Sequence, residues 1–279
     1  MTIKAIAIDM DGTLLNDKKR ITKATKTALI EAQKQGVKII LASGRPTPGL
    51  SEHAEELAMK NNNGIGVAFN GAQVIDLQTQ QILFEEPLQV EVSKAILEHL
   101  KKFDVKPMIC YKDYMYVNNV YDNQIHLSNG ENRNIIEYES RIGHYKLCEV
   151  NDLAAFCDFP LYKILAAGDP AYLNQFYKEL EQPFEGQVSA LFSDPFYFEF
   201  TARGITKAKA IKAILPKLGI KKEELMAFGD GQNDQAMVEM AGVGVAMDNA
   251  NDALKQVADE TTLNNNEDGI AYTLQKYLI

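Results

Sequence analysis

Two aspartates one residue apart, Asp9 and Asp11, close a short apolar run near the start of the chain, in the stretch IKAIAIDMDGT. Side chains i and i+2 of an extended segment point the same way, so both carboxylates can face one site. Without a cation they would repel, and one would be forced to protonate. Towards the other end, a second short run, Leu225 to Phe228, leads into GDGQND, which adds Asp230, Asn233 and Asp234. Carboxylate oxygens unaccompanied by His or Cys suit Mg2+, which takes one or two carboxylates and fills its other positions with water and phosphate oxygen. Gly12 permits a sharp departure from the strand with its backbone close to a ligand. Thr13 can hydrogen-bond Asp11 or a backbone amide. On its own, DMDGT reads equally well as an Asp-Gly surface turn. Its joint occurrence with SGR (Ser43, Gly44, Arg45) and GDGQND turns the reading towards a site.

These groups must be positioned by strands. Each follows an apolar run: Ser43-Gly44-Arg45 comes after Val37 to Ala42, and Asn70-Gly71 after Gly64 to Phe69. In open parallel sheets, ligands bind beyond the carboxyl ends of the strands. Helical patterns separate the runs at 23–35, with Thr22 a suitable N-cap and Gly36 a stop, and at 51–60. In the last third, helices are predicted at 207–218, 235–241 and 253–257 and after Gly269, with a further strand at 243–247. Continuous apolar strands alternating with amphipathic helices predict an α/β fold: a Rossmann-like parallel sheet covered on both faces. The middle differs. An amphipathic helix at 90–103 precedes the strands PMICYK and YMYVNN, which a step at Asp113-Tyr114 could join as a hairpin. YKILAAG and SALFSDPFYFEF then read as strands around a helix at 171–180. This α+β segment reads as a domain inserted into the first, giving a core of 1–84 and 197–279 and an insert of 85–196.

The 279 residues are 46% hydrophobic and 24% charged, with a net charge of −9, which argues against nucleic acid as the main partner. No run approaches the roughly 20 apolar residues of a membrane span, and Asp9 interrupts the first run too early for a signal-peptide core. Cys110, Cys148 and Cys157 are odd in number and form no C-x-x-C pair, as expected of reduced thiols in a cytoplasmic protein. His53, His99, His126 and His144 show no metal-ligand spacing.

The constellation resembles the haloacid dehalogenase-like phosphatases, specifically the Cof-type branch, over nearly the whole chain. DMDGTLLN and AFGDGQNDQAMVEMAGVGVAMDNA carry it most strongly, supported by SGR, FNGA and FEFTARGITKAKAI. The resemblance implies a Rossmann-like core with an inserted α+β cap of the C2 type. It also implies a magnesium-dependent phosphatase of small phosphorylated metabolites: sugar phosphates, nucleotides or phosphorylated cofactors. Asp9 would attack phosphorus and become an aspartyl phosphate. Asp11 would serve as general acid and then base, its backbone carbonyl touching Mg2+. The Met10 amide, Ser43 with the Gly44 amide, Lys207 and Asn233 would hold the phosphoryl group. Asp9, Asp11 and Asp230 would bind the metal, with Thr13 and Asp234 in support, Asp234 by orienting Lys207 or a water. Only the match to GITK singles out Lys207 among several lysines of TKAKAIKAILPK. Arg45 is expected to bond structurally nearby.

Two departures stand out. Ser43 replaces a frequent threonine, and Asp248 stands in MDNA where the family commonly has M-G-N-A, adding a charge near the site. Substrate choice would lie in the cap, where Tyr111, Tyr114, Tyr116 and Tyr121 are lining candidates or cross-strand packing partners. A sugar phosphomutase and a phospho-accepting receiver domain are the alternative readings.

Overall fold

The computed structural model describes residues 2–278. In chain order its elements begin with β1 (Ala5–Asp9), α1 (Lys23–Lys34), β2 (Lys38–Ala42), α2 (Ser51–Glu56), β3 (Ile65–Ala68), β4 (Gln73–Asp76) and β5 (Ile82–Glu85). There follow α3 (Val90–Leu100), β6 (Lys106–Tyr111), β7 (Tyr114–Val117), β8 (Gln124–His126), β9 (Asn132–Asn134), α4 (Ile135–Ile142), β10 (Lys146–Glu149) and α5 (Leu153–Phe156). Next come β11 (Ile164–Ala167), α6 (Pro170–Glu181), β12 (Val188–Asp194) and β13 (Tyr197–Ala202). The chain continues through α7 (Lys207–Ile214), β14 (Leu225–Gly229), α8 (Gln235–Met240), β15 (Val243–Ala246), α9 (Asp252–Val257), β16 (Glu260–Thr261) and α10 (Gly269–Tyr277).

The predicted parallel sheet is present, with eight strands in the order β16-β15-β14-β1-β2-β3-β4-β5. Pairing is parallel from β16 across to β3, and β1, β2 and β14 are the central strands. Every residue of β1, β3, β14 and β15 is buried, as continuous apolar runs covered on both faces require. One face packs Ala5, Ala7, Ile40 and Val67 against Ile211 and Ile214 of α7 and Met237 and Val238 of α8. Burying each large aliphatic there is worth about 1.5–3 kcal/mol. Beyond β3, the strands β4 and β5 pair antiparallel, a hairpin that the sequence pattern did not disclose. Its strands lack clean alternation: β4 reads half-buried, buried, buried, half-buried, and the edge strand β5 exposes Ile82.

The helix at 23–35 is α1, and Thr22 caps it, its hydroxyl accepting from the Thr25 amide at 3.3 Å. Two longer expectations are corrected. The helix at 51–60 stops at Glu56, because Ala58 turns left-handed (φ 53°) before a 3₁₀ turn at Met59–Asn62. The helix at 207–218 ends at Ile214, where Pro216 cannot continue the ladder and starts a 3₁₀ turn, Pro216–Leu218.

The chain divides into two compact units: residues up to Glu85 together with those from Thr206 onward, and Glu86–Ile205. The second unit runs to Ile205, past the 196/197 boundary expected from the sequence. β13 pairs with β11 on one side and β12 on the other and is buried at every residue, so it belongs to the insert's sheet, and the crossing back falls after Ile205. That sheet runs β10-β7-β6-β11-β13-β12, mostly antiparallel, with a separate two-stranded β8-β9 ribbon. On one face α3 and α6 pack through Ile96, Leu97, Leu173 and Leu180 onto Ile109, Ile164, Phe198 and Phe200. The β6-β7 hairpin turns at Lys112-Asp113, one residue earlier than predicted, with Lys112 left-handed (φ 53°) and Tyr111 opposite Tyr114. Tyr111 stacks on Phe159 with ring centroids 4.0 Å apart, and Tyr116 leans on Phe156 at 4.7 Å, which is packing, whereas Tyr121 stands exposed. Among the described residues no helix is long and apolar enough to cross a membrane.

Candidate active site

Register brings the two ends of the chain together. β1 and β14 lie side by side with Ile8 opposite Phe228, so Asp9, the last residue of β1, and Asp230, the first beyond β14, emerge as neighbours. A third carboxylate joins them: oxygens of Asp9, Asp230 and Asp234 all lie within 4.8 Å of one another. Into this group reaches Lys207, the first residue of α7, whose preceding residue Thr206 caps the helix by accepting from the Lys209 amide at 3.0 Å. The Lys207 side chain is fully buried, its Nζ 2.5 Å from Asp9 Oδ1 and 2.7 Å from Asp234 Oδ1. The other oxygen of Asp234 accepts from the amides of Asp230 (3.1 Å) and Gly231 (3.0 Å), which folds GDGQND into a tight turn. Thr13 donates to Asp230 Oδ1 at 2.6 Å rather than to Asp11. Gly12 is obligatory beside it: its φ is +87°, and a Cβ there would stand 2.3 Å from Asp230 Oδ2.

The electrostatics follow from three buried or half-buried carboxylates facing one ammonium. Burial pushes the Asp9 carboxyl up to about 8, reinforced by Asp234 and Asp230 and opposed by Lys207. Burial also raises Asp230, with Asp234 adding to it and Thr13 and Lys207 working against it. Burial alone would depress Lys207, yet the charges of Asp9 and Asp234 hold its ammonium above the usual lysine range.

Asp11 has different company. Its carboxylate accepts from Arg45 through Nε (2.8 Å) and Nη2 (2.7 Å) and from Lys19 Nζ (2.8 Å). Burial would raise the Asp11 carboxyl, but these two cations outweigh it and hold the group down at about 2. Asp11 was expected at the metal through its backbone carbonyl. The carboxylate that gathers with those of Asp9 and Asp230 is that of Asp234, which the sequence placed in support. Both Asp234 oxygens are already engaged by Lys207 and two amides, so Asp9 and Asp230 keep the larger free lone-pair capacity for a cation.

Ser43 is buried at the end of β2, its hydroxyl accepting from the Arg45 amide at 3.1 Å. Asn233 donates through Nδ2 to Asn70 Oδ1 at 2.9 Å. Met10 is fully buried, and its carbonyl accepts from Leu15 at 2.9 Å, which closes the loop after β1. Asn249, outside the predicted set, steadies that loop by donating to the Gly12 carbonyl at 2.8 Å, while its Oδ1 accepts from the Asn265 amide at 3.1 Å. Its neighbour Asp248 is exposed and lies 3.6 Å from Lys255. The extra negative charge is thus paired locally. Asn70 stood at a strand end in the sequence, but only its contacts reveal what it joins.

Residues 6–274 match the family of haloacid dehalogenase-like hydrolases. A haloacid dehalogenase-like hydrolase from Bacteroides thetaiotaomicron has the same fold, with a TM-score of 0.90 and 32% identity covering 99% of each chain. A 5-amino-6-(5-phospho-D-ribitylamino)uracil phosphatase of Bacillus subtilis, YcsE, is 30% identical over 281 residues, 99% of this chain and 96% of its own. The pyridoxal phosphate phosphatase YbhA of Escherichia coli is 27% identical over 279 residues, all of both chains. The chain belongs to the haloacid dehalogenase-like hydrolases and is an enzyme of their phosphatase kind.

Proposed function

We propose that the protein is a Mg2+-dependent phosphomonoesterase that cleaves small phosphorylated metabolites through an aspartyl phosphate on Asp9. One observation carries the reading: a fully buried lysine bridges Asp9 and Asp234 while Asp230 stands beside them. Lys207 neutralises only one of these three carboxylates, and the all-oxygen donor set fits a hard divalent cation. Asp9 and Asp230 would hold Mg2+, which when bound supplies charge neutralisation for the phosphoryl oxygens. The Asp11 carbonyl and Asp234 complete the proposed set around them.

In the first step an Asp9 oxygen bonds to phosphorus as the ester P–O bond breaks. Asp11 delivers a proton to the departing alkoxide. Water then attacks the phosphorus of the aspartyl phosphate, giving its proton to Asp11 and releasing inorganic phosphate. Splitting the displacement in this way replaces one difficult step by two easier ones. Lys207 aims Asp9 and favours its ionised form against the effect of burial, and its fixed positive charge stabilises the transferring group. Ser43, the Gly44 and Met10 amides and Asn233 bind the remaining phosphoryl oxygens. Asp11 must leave Arg45 and Lys19 to reach the leaving group, and it acquires its proton when freed from those cations.

The substrates named for the relatives, a phosphorylated ribitylaminouracil and pyridoxal phosphate, support a small soluble phosphomonoester as the substrate class, without nucleic acid or membrane. The three free thiols suit a cytoplasmic setting. The test is phosphate release from a panel of sugar phosphates, nucleotides and phosphorylated cofactors, with Mg2+ and with a chelator. Release that depends on Mg2+ and is lost in Asp9→Asn is the expected result. Isomerisation without net release would make the protein a phosphomutase, and indifference to chelation would remove the metal.

A further inference from the structure

The loop after β3 carries two successive non-glycine residues in the left-handed region, Phe69 (φ 51°) and Asn70 (φ 55°). Such conformations are costly and persist only where the surroundings over-determine them. Here the surroundings are the ends of three other elements. The Phe69 amide donates to the Arg45 carbonyl and the Asn70 amide to the Ser43 carbonyl, both at 2.9 Å. Gly71 (φ +106°) lies so close to the Thr206 carbonyl that a Cβ would stand 2.3 Å from it, directly before Lys207. The Asn70 carboxamide packs over Gly44, both its terminal atoms 3.2 Å from where a Cβ would be, and its Oδ1 accepts from Asn233 at 2.9 Å. One residue thus touches the Ser43-Gly44 turn and Asn233, and its neighbour braces the start of α7.

We propose that Asn70 is a positioning residue of the phosphoryl site. Its carboxamide fixes the exposed Asn233 side chain beside the Ser43-Gly44 turn, at the spacing from it that a tetrahedral anion requires. A free asparagine would lose side-chain entropy in becoming ordered on the ligand; the bond to Asn70 spends that entropy during folding. Asn70 acts through Asn233, one of whose amide hydrogens goes to Asn70 and the other remains for the anion. The identity of that anion rests on the phosphatase reading, whereas the positioning does not.

The variant that isolates the side chain is Asn70→Gly, because glycine accepts this φ without strain. If Asn70 served only to tolerate the left-handed turn, glycine would serve as well. Binding of inorganic phosphate with Mg2+ present, measured by calorimetry, is expected to weaken about fivefold, the equivalent of one neutral hydrogen bond. The thermal midpoint should change by no more than about 4 °C. The double variant Asn70→Gly/Asn233→Ala should bind phosphate no more weakly than Asn233→Ala alone, since a residue acting through another has nothing further to lose. Additive losses, or undiminished binding by Asn70→Gly, overturn the proposal. An arm that needs no phosphate keeps the two readings apart. In ¹⁵N spectra the Asn233 side-chain amide should exchange slowly in the wild type and in Asn70→Asp, which retains the acceptor, and rapidly in Asn70→Gly. Equal exchange in all three removes Asn70 from its role even if the protein is a phosphatase. The expected exchange pattern in a protein that binds and releases no phosphate upholds the positioning and discards the phosphatase.

Discussion

Arg45 grips both oxygens of Asp11, with Nε 2.8 Å from Oδ2 and Nη2 2.7 Å from Oδ1, and Lys19 adds a third contact at 2.8 Å. A carboxylate held this way is a poor acid until it is released, so the clamp and the proposed proton donor are one device. Asp11→Asn is expected to lower kcat by about 10²–10⁴-fold, the usual contribution of a positioned acid. The thermal midpoint should hardly move, because a half-exposed ion pair contributes only about 0–1 kcal/mol. Steady-state kinetics beside a melting curve checks both; a kcat within a factor of two of wild type would remove Asp11 from proton transfer.

Lys207→Met tests the buried bridge. Removing the ammonium leaves Asp9 and Asp234 without their cation in a buried site, which typically costs about 3–5 kcal/mol. Denaturant unfolding should show that loss, and Lys207→Met/Asp234→Leu should recover part of it by deleting one stranded charge. A melt unchanged in the single variant would mean that the lysine does not carry the charge balance of the site.

The raised Asp9 carboxyl makes stability depend on pH in a stated direction. Its folded value of about 8 exceeds the roughly 3.9 of an unfolded aspartate, so between those values the folded state binds the extra proton. Metal-free protein should therefore lose stability as pH rises from 5 to 8. Mg2+ competes with that proton, so its addition should raise the melting temperature more at pH 8 than at pH 5. Calorimetric melts at both values, with and without Mg2+, decide this; an equal increment at both would contradict it.

Gly12→Ala should separate folding from metal binding. The added methyl would sit 2.3 Å from Asp230 Oδ2 on a backbone at φ +87°, so Asp230 must move. The conformational part costs about 1–2 kcal/mol, while a Mg2+ titration of activity should shift to at least tenfold higher concentration. An unshifted titration in a folded variant would place Asp230 outside the metal site.

Much of this was legible locally. The apolar runs and the residues that end them located β1, β2, β3 and β14, and Thr22 marked the start of α1 by capping. These are near-neighbour effects, which a linear pattern records faithfully. The choice of Lys207 among its neighbours came only from the family resemblance. The fold supplies the reason: it alone of the lysines in TKAKAIKAILPK is fully buried, at the first turn of α7.

The amino-acid order by itself determined which side chains could do chemistry and that strands would end beneath them. The tertiary structure decided which of them meet. Asp234 joins the carboxylate cluster, Asp11 turns to Arg45, Asn70 spans to Asn233 and β13 belongs to the insert because strand register and sheet order set distances between residues far apart in sequence. Periodicity is a property of a few consecutive residues. Pairing Ile8 with Phe228 depends on the free energy of the whole packed sheet, and no local window contains it.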